Sequence, residues 1–294
     1  SVNYVAGSVE PNEVIAKLSA SGTACIYTLQ SADVIVDVVG HVTDSPYEPL
    51  TPQRFADSRD EATFDGLFRN TGPRPAGSTW EVQIAGRGGV PTHATAAVVN
   101  LTVTGAVDLG FATVYPCGDL PTASSINWGP GVTRPNELIA KLSPTGTICI
   151  YTLTSIDIIV DTVGYLVDTP GYTPLTPERF ADSRDEATVD GLFRNTGPRP
   201  AGSTWEVQIA GRGGVPAGAL AAVVNLTITS ATDLGFATVY PCGDLPTASS
   251  INWSPGVTRP NELIAKLSAT GTICIYTLAT IDIIVDTVGY TSRA

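Results

Sequence analysis

The side chains able to carry chemistry in this 294-residue chain are few, and most recur at a fixed interval. Five cysteines stand at Cys25, Cys117, Cys149, Cys242 and Cys274. Cys117 and Cys149 are 32 positions apart (149 − 117), as are Cys242 and Cys274 (274 − 242), and the surroundings of Cys25 match those of Cys149 and Cys274. Pairs at one repeated spacing read as disulfides, which form in an oxidising, extracellular compartment. Cys25 then pairs outside this segment or with another chain. A rival register joins Cys25 to Cys117 and Cys149 to Cys242, strands Cys274, and completes each unit by strand exchange.

Catalysis finds little to work with. General acid–base or nucleophilic chemistry shared by the repeats needs a His, Cys or carboxylate constellation at one place in each copy. The two histidines, His41 and His93, are replaced by Tyr165 and Gly218 in the next copies. The GRGGVP turns at Gly86 and Gly211 lead into strands, whereas a phosphate-binding glycine turn opens a helix. The reading is a non-enzyme.

Two groups are candidates for binding. In RFADSRDEATFDG, Asp57 and Asp60, repeated as Asp182 and Asp185, offer oxygens of the kind calcium takes, although Arg54, Arg59 and Arg69 interleave with them. Trp128 and Trp253, with Tyr4 in the first copy, flank proline–glycine turns. An aromatic on an exposed turn stacks on sugar rings, with Asn127 and Arg134 as hydrogen-bonding partners; its structural alternative is to cover the end of the fold. Asp157 and Asp161 share a strand face, where two like-charged carboxylates can mark a binding site; the structural alternative is that each is tied to a backbone amide or to an arginine such as Arg134. Trp80 and Trp205 read as core. Asn100, Asn225 and Asn252 lie in glycosylation sequons.

The elements that position these residues repeat every 125 positions, since Arg179 − Arg54 and Cys242 − Cys117 both give 125. The stretch 125–165 recurs at 250–290 and, diverged, at the start of the chain. A period this long makes each unit a domain rather than a solenoid turn. Domains are expected at 50–165 and 175–290, with proline-containing linkers at 41–49 and 166–174, and residues 1–40 as the back third of a preceding domain, incomplete or completed by another chain.

WEVQIAG, AAVVNLTVT, FATVYPC, NELIAKLS, TICIYTL and IDIIVDTVGY are short, rich in branched and aromatic residues, and bounded by turn formers. Alternation places Leu138, Ala140 and Leu142 on one face of NELIAKLS and Glu137, Ile139 and Lys141 on the other, which favours strand over helix. The fold class is therefore all-β: tandem antiparallel, Ig-like β-sandwiches of about seven strands, arranged as beads in an array. Val99, Leu101, Leu138, Ile148, Ile150 and Val160 are expected in the core.

A net charge of −12 disfavours nucleic acid and anionic lipid, both of which need clustered cations. No apolar run approaches the roughly 18 residues of a membrane span.

Taken together, RFADSR, VVNLTVT, GFATVYPCG, SINW, PNELIAKL, GTICIY and IVDTVGY resemble a tandem β-sandwich repeat of large secreted and cell-surface bacterial proteins. That resemblance implies a non-catalytic extracellular module, and it brings no ligand residues with it. Three functions are in view: a surface stalk, adhesin shaft or filament that associates with itself end to end or by strand exchange; an array binding cell-wall or surface polysaccharide; and, least supported, an enzyme.

Overall fold

The computed structural model describes residues 2–3, 10, 12–38, 40–41, 47–168 and 171–292. Its strands form two antiparallel β-sandwiches, and no helix occurs among the described residues. The first contains β1 (Tyr47–Asp57), β2 (Ser78–Gln83), β3 (Ala94–Thr104), β4 (Gly110–Tyr115), β5 (Ile126–Trp128), β6 (Arg134–Lys141), β7 (Thr147–Thr152) and β8 (Asp157–Val167). One sheet is ordered β1-β8-β3-β6 and the other β2-β7-β4-β5. The second sandwich repeats this with β9 (Tyr172–Asp182), β10 (Ser203–Gln208), β11 (Ala221–Thr229), β12 (Gly235–Tyr240), β13 (Ile251–Trp253), β14 (Arg259–Lys266), β15 (Thr272–Thr277) and β16 (Asp282–Thr291).

Each unit thus has eight strands rather than seven, and β1 is one that the prolines conceal. Pro49 and Pro52 suggest a linker, but β1 is an edge strand, where a missing N–H breaks no ladder. Register shifts at Pro49/Gln53 and Arg54/Ala56 absorb the rest of the irregularity. The expected linker at 166–174 likewise carries the end of β8 and the start of β9. Residues 42–46 of the other expected linker lie outside the described residues.

Alternating side chains of both sheets fill each core, among them Val99, Leu101, Leu138, Ile148, Ile150 and Val160, with Trp80 against them. The opposite face of β3 is also apolar and buried, at Ala96 and Val98. These pack with Ile139, Val223, Val288 and Leu166 in a third cluster that joins the two sandwiches. The two tandem units are therefore packed on each other through sheet faces. This is why Glu137 and Ile139, on the face of β6 turned away from its own core, are buried.

Residues 12–38 form no strand. Their sequence matches β6, β7 and the start of β8, but in the complete units β6 pairs with β3, β7 with β2 and β4, and β8 with β1 and β3. Residues 12–38 contain no counterpart of β1 to β4, so their backbone has no ladder to join. Ile26, Tyr27, Leu29, Ile35 and Val38 are exposed as a result.

Candidate functional site at the junction of the repeats

The residues expected to bind sugar are occupied within the protein. Trp128 and Trp253 are each only 2% exposed. Each lies across a strand pair from a glycine, Gly110 or Gly235. The indole fills the space a side chain would need there: a Cβ on Gly110 would lie 2.6 Å from Trp128 Cζ2. Trp253 Nε1 donates to the Asp233 carbonyl at 3.1 Å. Asn127 Oδ1 accepts from Ser124 Oγ at 3.1 Å. Arg134 is buried, and its Nη1 donates to the carbonyls of Asn127 at 2.9 Å and of Thr258, in the second sandwich, at 2.7 Å. Tyr4 lies outside the described residues.

Arginines hold the acids proposed for calcium. Asp57 is fully buried and accepts from Arg54 at 3.0 Å, from Arg59 Nη2 at 2.8 Å and from the Arg59 amide at 3.0 Å. Asp182 repeats the pattern with Arg179 and Arg184. Asp60 pairs with Arg69 and Asp185 with Arg194. Asp161 meets Arg54 rather than Arg134, and Asp157 accepts from Ser58 Oγ at 2.7 Å. Asp65 takes Arg87 through both oxygens, which holds its carboxyl below the usual carboxylate range, and Arg87 lies over the rings of Phe55, Phe64 and Phe68.

Cys117 is bonded to Cys149 and Cys242 to Cys274, while Cys25 is exposed and unbonded, so the register joining Cys149 to Cys242 does not occur. Among the described residues, the one group close enough to share a metal ion is Glu206 with Cys242 and Cys274, whose sulfurs are already bonded to each other.

What the structure brings together instead is the motif Asn-Glu-x-Ile, present as Asn12–Ile15, Asn136–Ile139 and Asn261–Ile264. The Glu262 amide donates to Asn136 Oδ1 at 3.2 Å and the Ile139 amide to Glu262 Oε1 at 2.6 Å. The Glu137 amide donates to Asn12 at 3.3 Å and the Ile15 amide to Glu137 at 2.6 Å. The Glu13 amide donates to Asn261 at 3.3 Å and the Ile264 amide to Glu13 at 2.9 Å. Each copy's Glu amide thus donates to the Asn of the copy before it, or for the first copy to that of the last. In return the Ile amide of one copy donates to the Glu of the next, so the reciprocal bonds close a ring of three. Free edges of β6 and β14 supply four of these amides and residues 13 and 15 the other two, which explains why polar side chains sit on otherwise apolar faces.

Glu137 and Glu262 are buried and Glu13 is half-buried, around a cavity of about 20 Å³. Loss of hydration above all, with a smaller contribution from neighbouring glutamates at Glu137 and Glu262, raises the three carboxyls, Glu13 and Glu137 to about 7 and Glu262 to about 8. The amide each one accepts works in the opposite direction. The cavity is far below the few hundred Å³ of a small-molecule site. Two sequence signals mark this junction: Asn-Glu-x-Ile survives even in the diverged first copy, and AAVVNLTVT has no charged face to turn to water.

No family model and no curated protein matches the chain. Among solved structures, it is similar to the N-terminal CBM22-1–CBM22-2 tandem domain of Paenibacillus barcinonensis Xyn10C, with 14% identity, a TM-score of 0.20, and coverage of 85% of this chain and 99% of that one. It is also similar to the M60 catalytic domain with the CBM51-1 and CBM51-2 domains of Clostridium perfringens ZmpB, with 7% identity and a TM-score of 0.19. That match covers 74% of this chain and 33% of the other. At these TM-scores neither superposition transfers a site or an activity.

Proposed function

We propose that this chain is a non-catalytic extracellular structural protein, its repeats interlocked into one rigid unit of a surface stalk, adhesin shaft or filament that associates with itself. The junction carries this reading. Buried glutamate carboxyls and asparagine carboxamides that accept specific amides of neighbouring repeats fix one relative orientation, which a flexible tether does not do. Two disulfides suit the extracellular setting. Electron microscopy of native material tests the idea: ordered fibres or projections support it, and dispersed particles that saturably bind purified wall polysaccharide count against it.

One observation favours polysaccharide binding as a second reading. Phe111 and Tyr151 lie half-exposed on the outward face of the β2-β7-β4-β5 sheet with ring centroids 6.0 Å apart, and Phe236 and Tyr276 repeat this at 6.1 Å. Paired rings on a sheet surface give sugars a stacking platform, and two weak sites on one chain gain by multivalency. Loss of wall-polysaccharide binding in Tyr151→Ala and Tyr276→Ala would support this second reading.

A further inference from the structure

The two complete repeats differ in one systematic way: the second is covered by the first, and the first lacks the same cover. In the second, Arg179 and Asp286 are paired with side chains 10% and 1% exposed. The loop before β5 lies over them, its Ser124 amide donating to Asp286 at 3.3 Å. The equivalent pair in the first repeat, Arg54 and Asp161, is 34% and 27% exposed. Asn225 shows the same contrast: its Nδ2 donates to the Ser124 carbonyl at 2.6 Å and its Oδ1 accepts from Asn136 at 3.2 Å. Its counterpart Asn100 is 6% exposed, and its buried Oδ1 has no partner.

The missing cover has a defined address. Residues 12–15 already occupy the third place in the ring, between Glu137 and Ile264. Charge supports that placement: three identical repeats would bring three arginines together, but the position matching Arg134 and Arg259 is Glu10, which pairs with Arg259 at 2.9 Å. Behind this anchor, the counterparts of β7 and β8 expose their apolar side chains, and Cys25 is exposed where Cys149 and Cys274 are bonded.

We infer that residues 12–38, together with Asn100, Arg54 and Asp161, form a docking surface for a third front half of this same repeat: four strands matching β1 to β4 and a cysteine in the place of Cys117. Its last residues would cover Asn100 and the Arg54–Asp161 pair, its strands would give residues 12–38 their ladders, and its cysteine would bond to Cys25, closing three sandwiches about one axis. A second copy of the chain fits less well. Both front halves among the described residues are paired with their own back halves, so lending one opens an equal deficit elsewhere.

The inference goes beyond the structural role, because fibres or wall binding can be present or absent without altering the disulfide map. The test is the full chain with a copy of residues 47–124 fused ahead of Ser1. Cys25 should lose its reactivity to thiol reagents and map to the added Cys117 equivalent, and the amides of residues 23–38 should slow in hydrogen exchange by about 100-fold or more. An added segment that leaves Cys25 reactive and those amides fast would overturn the inference. In the unextended chain, Glu13→Ala should speed exchange of the Ile264 amide by roughly tenfold or more, and an unchanged rate would overturn the ring placement. Covalent dimers of the unextended chain linked from Cys25 to Cys117 would overturn it in favour of strand exchange between copies.

Discussion

The backbone amide of Ile139 donates to the side chain of Glu262 at 2.6 Å, across the contact between the two sandwiches. Burial raises the Glu262 carboxyl from 4.5 to about 8, so between those values the folded chain holds a proton that the unfolded chain releases. Stability from this group is therefore complete below about pH 4.5 and is lost as pH rises through about 8, with Glu13 and Glu137 adding to the fall near 7. The melting temperature should decline from about pH 5 to about pH 9. Glu262→Gln keeps an oxygen for Ile139 and removes the charge, so it should flatten the decline and raise stability at the alkaline end. Calorimetry across overlapping buffers measures both slopes, and parallel curves for variant and parent would refute the account.

The pairs Arg179–Asp286 and Arg54–Asp161 provide a matched comparison, with one chemistry at two exposures. Removing Arg179 leaves a carboxylate that is 1% exposed without its cation and should cost about 3–5 kcal/mol. Removing Arg54 leaves Asp161, at 27% exposure, able to take water and should cost about 1 kcal/mol. Urea melts of Arg179→Ala and Arg54→Ala measure the difference directly, and equal costs would show that the first sandwich does not cover the second in solution.

Much of the sandwich was legible because its strands obey a period of two. The inward set Val99, Leu101 and Val103 and the breaks at glycine and proline mark β3 and its neighbours. β1 was not legible, because prolines on an edge strand read like prolines in a linker. The aromatic candidates failed for a related reason: a tryptophan beside a turn looks the same whether it faces water or folds over Gly110. The junction was hidden because alternation assigns Glu137 to solvent. Only pairing with an amide of another repeat lets a glutamate sit beside Ile139 on a buried face.

Arginine occupancy of the acidic segment predicts indifference to calcium. Asp57 and Asp182 already accept from two guanidinium groups each, and Asp60 and Asp185 from one. Melting with excess chelator or with millimolar calcium should give the same midpoint within error. A rise of several degrees with calcium would mean that the ion displaces these arginines.

Each disulfide ties the residue two past the end of β4 or β12 to the middle of β7 or β15, closing a loop of 32 residues. On the chain-entropy model such a bridge contributes about 3–4 kcal/mol. Cys149→Ser and Cys274→Ser should each cost about that much, and the losses should add where the two cores respond independently. Denaturant titrations of the single and double variants check both claims.

Gly110 and Gly235 are predicted to be intolerant of even one methyl group. A Cβ on Gly110 would lie 2.6 Å from Trp128 Cζ2 and would also strike Thr154 Oγ1, while one on Gly235 would lie 2.7 Å from Trp253 Cζ2. The indoles are enclosed and have little room to withdraw, so Gly110→Ala and Gly235→Ala should each cost about 1–3 kcal/mol. Both should also shift tryptophan emission to the red as the ring is pushed toward water. Gly129→Ser is the control: the nearest atom to a Cβ there is Leu109 Cδ2 at 3.9 Å, and the second repeat already carries Ser254 at that position. Stability and emission should both be unchanged in the control. A Gly110→Ala variant as stable as the parent would show that Trp128 is not seated over the glycine.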